Sequence, residues 1–150
     1  MPVKKPPRDS EDESICNCLA VRQAARHITQ IYERHLAPDG VTAAQYSILA
    51  KLARLGPISI GELASLMVMD RTTLTRGLGP LERDGLVSVG DGPDGRTRRI
   101  ELTAKGKAKQ RTASARWRDA QDEFESQFGP DSAAELRATM QRLTRLPLGG

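Results

Sequence analysis

Aromatic side chains are scarce in this chain: one tryptophan, two tyrosines and two phenylalanines make up 3% of 150 residues. A core with so few rings must be mostly aliphatic. Cysteine is nearly absent. Cys16 and Cys18 cannot make a disulfide framework, and two residues apart on one helix they would face different sides and bridge poorly. The two histidines, His27 and His35, stand about 12 Å apart along a helix, too far to share a metal ion unaided. No metal and no cofactor are expected. No apolar run approaches transmembrane length, and Lys4 and Lys5 lead into Pro6, Pro7 and an acidic run instead of the apolar stretch of a signal peptide. The expectation is a soluble cytoplasmic protein with no membrane contact. Missing too are Ser/His/Asp, paired-carboxylate and phosphate-loop constellations, so no enzyme is expected.

What is present is a chain of globular composition, with 38% hydrophobic and 28% charged residues and a net charge of +4. The charge is not where a naive nucleic-acid argument needs it. Residues 59–105 carry seven Lys/Arg against seven Asp/Glu, whereas residues 1–58 and 106–150 each carry eight against six. Any case for DNA must therefore rest on how individual arginines are arranged.

Residues 1–10 are polar and proline-containing and read as a disordered tail. Ser10-Glu11-Asp12-Glu13 has capping-box spacing, and Ile15, Leu19, Ile28, Ile31, Tyr32 and Leu36 recur at helical intervals up to Pro38-Asp39-Gly40. Thr42-Ala43-Ala44-Gln45 opens a second helix, with Ile48, Leu49, Leu52 and Leu55 on one face. Ser59-Ile60-Gly61-Glu62 opens a short third one, and Asp70 caps a fourth whose stripe is Leu74, Leu78 and Leu81, ended by Asp84-Gly85. From Leu86 the period changes to that of a β-hairpin, with a glycine-rich tip through Gly90, Gly92, Pro93 and Gly95 and a return at Arg98, Ile100 and Leu102. Thr103 caps a long helix towards Phe128. Gly129-Pro130 separates it from a last helix with Ser132 as cap and Leu136, Met140 and Leu143 as stripe.

A short helix, a tight turn and an amphipathic helix make a helix-turn-helix, and the hairpin after it makes a wing. With the leucine stripe of residues 70–85 turned inward at about 100° per residue, Thr72 and Arg76 face outward and Thr73 and Thr75 flank them. Hydroxyls and a guanidinium suit the major groove, where arginine binds guanine in bidentate fashion and threonine meets a thymine methyl or a phosphate. The wing, residues 91–100, concentrates Arg96, Arg98 and Arg99 close to Asp94, whose carboxylate is positioned to orient one of them. Such a tip suits a narrow minor groove. Gly77, Gly79 and Pro80 predict a kink or local unwinding near Leu78.

The run Glu62-Leu63-Ala64, Asp70-Arg71-Thr72-Thr73-Leu74-Thr75-Arg76, Leu81-Glu82-Arg83-Asp84-Gly85-Leu86-Val87 and Asp94-Gly95-Arg96, ending in Leu102-Thr103-Ala104-Lys105-Gly106, resembles the MarR family of winged helix-turn-helix transcription regulators. The resemblance covers nearly the whole chain. It implies a mainly α fold with a small β-hairpin wing, in which residues 42–102 bind DNA and residues 11–41 and 103–147 form helical dimerisation elements. It also implies that Thr72, Thr73, Thr75 and Arg76 face the major groove, that Arg96 enters the minor groove, and that Asp94 braces it. Arg71 and Arg98 complete the set of expected DNA-facing residues. The expected partners are double-stranded DNA carrying a pseudo-palindromic operator and a second copy of the chain, with repression as the expected action.

Regulators of this family release DNA when a small aromatic or phenolic molecule enters a crevice, or when a cysteine is oxidised. In a subgroup that senses organic hydroperoxides, the reactive cysteine lies early in the first helix and tyrosines bond to it. Cys18 and Tyr32 match that cysteine and one tyrosine, whereas Arg22 and Ala43 stand where the others would be. Cys16, Cys18, Arg22 and Tyr32 are thus the candidate sensing residues, with Arg22 one turn beyond Cys18 and placed to favour a thiolate. Buried cysteine as plain packing stays open. Two rival functions also stay open: a winged helix used for protein contact, and a thiol peroxidase working through Cys18.

Overall fold

The computed structural model describes residues 15–148; the expected tail over residues 1–10 and the Ser10 capping pattern lie outside them. The helix α1 (Asn17–Leu36) is capped by Cys16, which is extended and whose thiol accepts a hydrogen bond from the Leu19 amide at 3.4 Å. Cys16 is therefore a cap. It does not share a helix with Cys18, which corrects the premise that the two thiols project from a single one. A 3-10 turn over Ala37–Asp39 and Gly40 at φ 72° end this segment.

The next helix, α2 (Ala43–Leu55), opens on a complete capping box: the Thr42 hydroxyl accepts from Gln45 N at 3.1 Å and the Gln45 side chain accepts from Thr42 N at 3.0 Å. Ile58–Ser59 form a short strand, β1, that the sequence reading did not anticipate. Ser59 then caps α3 (Ile60–Leu66), and Asp70 caps α4 (Arg71–Arg83). Strands β2 (Val87–Asp91) and β3 (Arg98–Leu102) form the hairpin, and β1 adds to its far side in an antiparallel sheet of order β1-β3-β2. The register pairs Asp91 with Arg98, Val89 and Ile58 with Ile100, and Ser59 with Arg99.

Helices α3 and α4 end in the same way. After α3, Val68 N donates to Ser65 O and Met69 N to Ala64 O; after α4, Gly85 N donates to Glu82 O and Leu86 N to Leu81 O. Both are Schellman closures, which place the residue after the C-cap in the left-handed region. Gly85 adopts φ 72° there without strain, but at the other end the residue is Val68, at φ 54°.

The largest fully buried side chains are Leu36, Leu49, Leu52, Leu63, Leu74, Leu81 and Ile100, so helices α1 to α4 and strand β3 all converge on one aliphatic core. Each such side chain stabilises the fold by roughly 1.5–3 kcal/mol on burial. The long helix α5 (Ala104–Phe128) is capped by Thr103 and buries only Gly106, Ala113 and Ala120, a seven-residue repeat of small side chains that lets it lie close along α1 and α2. Tyr46 stacks on Trp117 with ring centroids 6.3 Å apart. The last helix, α6 (Pro130–Leu143), takes Gly129 and not Ser132 as its cap, with Pro130 in its first turn, where a missing N–H costs nothing. Met140 and Leu143, two residues of its stripe, are exposed.

Candidate nucleic-acid interface

The N-terminus of α4 is held by two bonds to one carboxylate. Asp70 accepts from Thr73 N at 2.7 Å and from the Thr73 hydroxyl at 2.9 Å, and the Thr73 amide, with that hydroxyl, holds the Asp70 carboxyl below its usual value. The proton of the Thr73 hydroxyl is thereby spent, leaving only lone pairs to offer a ligand. Thr72, Thr75 and Arg76 are exposed on the face away from buried Leu74, Leu78 and Leu81. Arg71 is exposed as well, and its guanidinium reaches back over α3, so that a Cβ on Gly61 would come within 2.7 Å of a terminal nitrogen.

The local unwinding predicted near Leu78 does not occur. Helix α4 runs unbroken from Arg71 to Arg83 through Pro80, and the Pro80 carbonyl still accepts from Asp84 N at 3.0 Å. Pro80 sits in the last turns, where its absent N–H frees only the carbonyl of Arg76, itself an exposed residue within reach of water. The residues that precede it are presented on regular helix.

The wing tip, residues 92–97, is internally bonded. Gly92 N donates to Thr97 O at 2.6 Å and Gly95 N to Gly92 O at 2.9 Å, with Gly95 at φ 70°. Asp94 accepts from Arg96 N at 3.0 Å, from Thr97 N at 2.9 Å and from the Thr97 hydroxyl at 2.8 Å. These bonds, led by the Thr97 amide, lower its pKa to about 2. The expectation that Asp94 orients an arginine side chain is corrected accordingly: its oxygens are taken by backbone amides and a hydroxyl, and it shapes the loop that carries Arg96. Among the described residues no carboxylate pairs with Arg96 or Arg98, and both are exposed.

Arg99 departs from its two neighbours. Its guanidinium donates to Pro57 O at 2.7 Å, beside β1, so it belongs to the scaffold. The missed strand β1 explains the missed role: the only signal was Ile58, an apolar residue between Pro57 and the capping Ser59. Together α3, α4 and the wing enclose a groove of about 720 Å³ lined by Arg71, Thr75, Arg96 and Arg98, with Glu82 as its acid. Thr72 and Arg76 lie with Arg71 and Thr75 on the adjoining open face. Arg71, Thr72, Thr75, Arg76, Arg96 and Arg98 thus line this groove or the face beside it, whereas Asp94 lines a separate cleft with Arg99.

The candidate sensing residues are not brought together within one chain. Cys16 and Cys18 are both exposed within one chain, neither packed in its core. Arg22 is exposed on the same helix. Tyr32 lies fourteen residues beyond Cys18, roughly 21 Å along the axis, and its hydroxyl donates to Gln121 Oε1 on α5. Burial raises its pKa, with Glu125 adding to the effect. His35 contacts Glu123 at 2.7 Å, where Arg34 also pairs at 2.9 Å. A crevice of about 170 Å³ between α1, α2 and α5 is lined by Ile28, Tyr32, Leu36, Tyr46 and Trp117. No helix among the described residues is long and apolar enough to cross a membrane, and no cluster of metal-ligating side chains occurs among them.

Known proteins share this arrangement. The chain is similar to the transcriptional regulator MosR of M. tuberculosis in its crystal structure with DNA, at 40% identity and a TM-score of 0.74 over 87% of this chain and 99% of that one. It is 28% identical over 108 residues to YwoH of Bacillus subtilis, a helix-turn-helix-type transcriptional regulator, covering 72% of this chain and 79% of that protein. It is 33% identical over 89 residues to the transcriptional activatory protein BadR of Rhodopseudomonas palustris, covering 57% of this chain but only 51% of BadR. The MarR family profile matches residues 41–96, which span α2, the helix-turn-helix and the wing up to Arg96. With its winged helix-turn-helix set between long flanking helices, the chain belongs to the MarR family of transcription regulators.

Proposed function

We propose that the protein is a dimeric, cytoplasmic DNA-binding repressor that reads a pseudo-palindromic operator. The observation that carries this reading is the joint exposure of Thr72, Thr75 and Arg76 on α4 beside Arg96 and Arg98 on a braced wing. Helix α4 enters the major groove, with Arg76 bidentate to a guanine and the threonines on methyls or phosphates; Thr73 accepts a hydrogen bond there. Arg96 enters the adjacent minor groove and Arg98 and Arg71 meet phosphates. The DNA-bound MosR relative supports the assignment.

Dimerisation uses the apolar side chains that one chain leaves exposed on its outer helices, Val21 on α1, Phe128 on α5 and Met140 and Leu143 on α6. Two-fold symmetry then sets the half-sites about 34–36 Å apart. Release follows either entry of a small phenolic molecule into the crevice under Tyr32 and Trp117, or oxidation at the exposed Cys16 and Cys18.

Genome-wide binding followed by affinity measurements on the recovered duplex tests the reading. Affinity is expected to fall steeply with salt, because arginine–phosphate contacts release counterions, and Arg96→Ala is expected to weaken binding about tenfold. A flat salt response would instead favour a protein-contact role. Loss of peroxide response in Cys16→Ser or Cys18→Ser separates oxidation from ligand release, and raised expression of the bound genes on deletion establishes repression.

A further inference from the structure

We infer that Arg99 is the positioning residue that sets the wing tip over helix α4, acting on DNA through Arg96 and not by touching it. The inference rests on the reading of Arg96 as a DNA contact. Alternation along β3 puts Arg98 and Arg99 on opposite faces of the strand, Arg98 lining the groove beside α4 and Arg99 lining a separate cleft with Ser59, Glu62 and Gly92.

Three segments meet at this one residue. Its guanidinium donates to the Pro57 carbonyl at 2.7 Å, one residue before a strand that pairs with β3 through only Ile58 and Ser59. Its backbone lies in register with Ser59, the cap of α3. Its Cγ and Cδ lie under the tip, so close to Gly92 that a Cβ there would stand 3.1 Å from both and 2.9 Å from the Thr97 carbonyl. Gly92 in turn closes the tip through its bond to Thr97 O, next to Arg96. Arg99 thus ties the wing to the helix-turn-helix at a point where the sheet provides only two residue pairs. The link runs through one terminal nitrogen of the guanidinium, and the Arg99 Nε is buried with no hydrogen-bond partner among the described residues.

The test is a double-mutant cycle on the full chain with the operator duplex. Arg99→Met keeps most of the stem and removes the guanidinium. It is expected to lower affinity about tenfold in the wild-type background and to change it less than twofold when Arg96 is already alanine, since the two losses are one loss. Additive losses would mean that Arg99 contacts DNA itself and would overturn the inference. Unchanged affinity in Arg99→Met, with Arg96→Ala still weakening binding, would overturn it as well. A null result for Arg96→Ala refutes the wing's DNA role instead, and the positioning claim is then decided without DNA. Amide exchange at Gly92 and Thr97 should accelerate in Arg99→Met while the α4 amides stay protected, and unchanged exchange at the tip sinks the claim.

Discussion

Gly106 passes so close to Leu86 that a Cβ built on it would collide with the Leu86 carbonyl oxygen. That oxygen also accepts from Thr103 N at 3.1 Å, and the Thr103 hydroxyl donates to Gly85 O at 2.6 Å while accepting from Gly106 N. Lys105 adds a bond to Asp84 O at 2.7 Å. The first turn of α5 is thereby locked onto the end of α4 and the start of β2, which joins the winged unit to the long helix.

Gly106→Ala is therefore expected to destabilise the fold by at least about 3 kcal/mol, because backbone and not a flexible side chain must give way. Urea unfolding measures it. A midpoint within error of wild type would show that α5 lifts away freely.

At the turn between α3 and α4 the expectation has the opposite sign. Val68 is β-branched, at φ 54° and 70% exposed, so it carries left-handed strain with little burial in return. Val68→Gly is expected to stabilise the protein by about 0.5–1 kcal/mol, the relief of strain exceeding glycine's entropy cost. A fall in thermal midpoint would show that the valine side chain makes a stabilising contact.

The wing tip has a pH signature. Because the Asp94 carboxyl is lowered from 3.8 to about 2 by its bonds to Thr97 and Arg96, its contribution to loop order is complete above about 3.8 and is lost as pH falls through about 2. The amide shifts of Arg96 and Thr97 should hold steady from pH 7 to 4 and titrate near 2. A midpoint near 4 would mean that the carboxylate is free of them, and Asp94→Asn should remove the titration.

On α6, Leu143 is 43% exposed on the outer stripe. Leu143→Glu is expected to weaken self-association at least tenfold, since a charge would enter an apolar contact, and to lower operator affinity with it. Sedimentation equilibrium reads the first effect. An undisturbed dimer would move the interface away from α6.

Local chemistry made much of the fold legible. The caps at Thr42, Ser59, Asp70 and Thr103, the leucine stripe of α4 and the period change at Leu86 each depend on residues within a turn or two, and all appear as read. So do the outward positions of Thr72, Thr75 and Arg76, because opposing an inward stripe is a property of one helix. Where neighbours in space decide, the reading fell short. Ile58 becomes a strand only because β3 lies beside it, and Ser132 yields its cap to Gly129, with Pro130 occupying the first turn. Pro80 is tolerated because it falls near the end of α4.

The sequence by itself determined that a helix-turn-helix precedes a wing and which helix faces point outward, since side-chain spacing and capping act over a few residues. Only the tertiary structure decided which charged residues at the wing are tied down and which stay free. Arg96 and Arg98 remain exposed, Arg99 grips Pro57, and Asp94 turns its oxygens to amides. These partners depend on distances across a three-stranded sheet and a closed loop. One-dimensional spacing makes the three arginines look alike, and burial and hydrogen-bond geometry separate them.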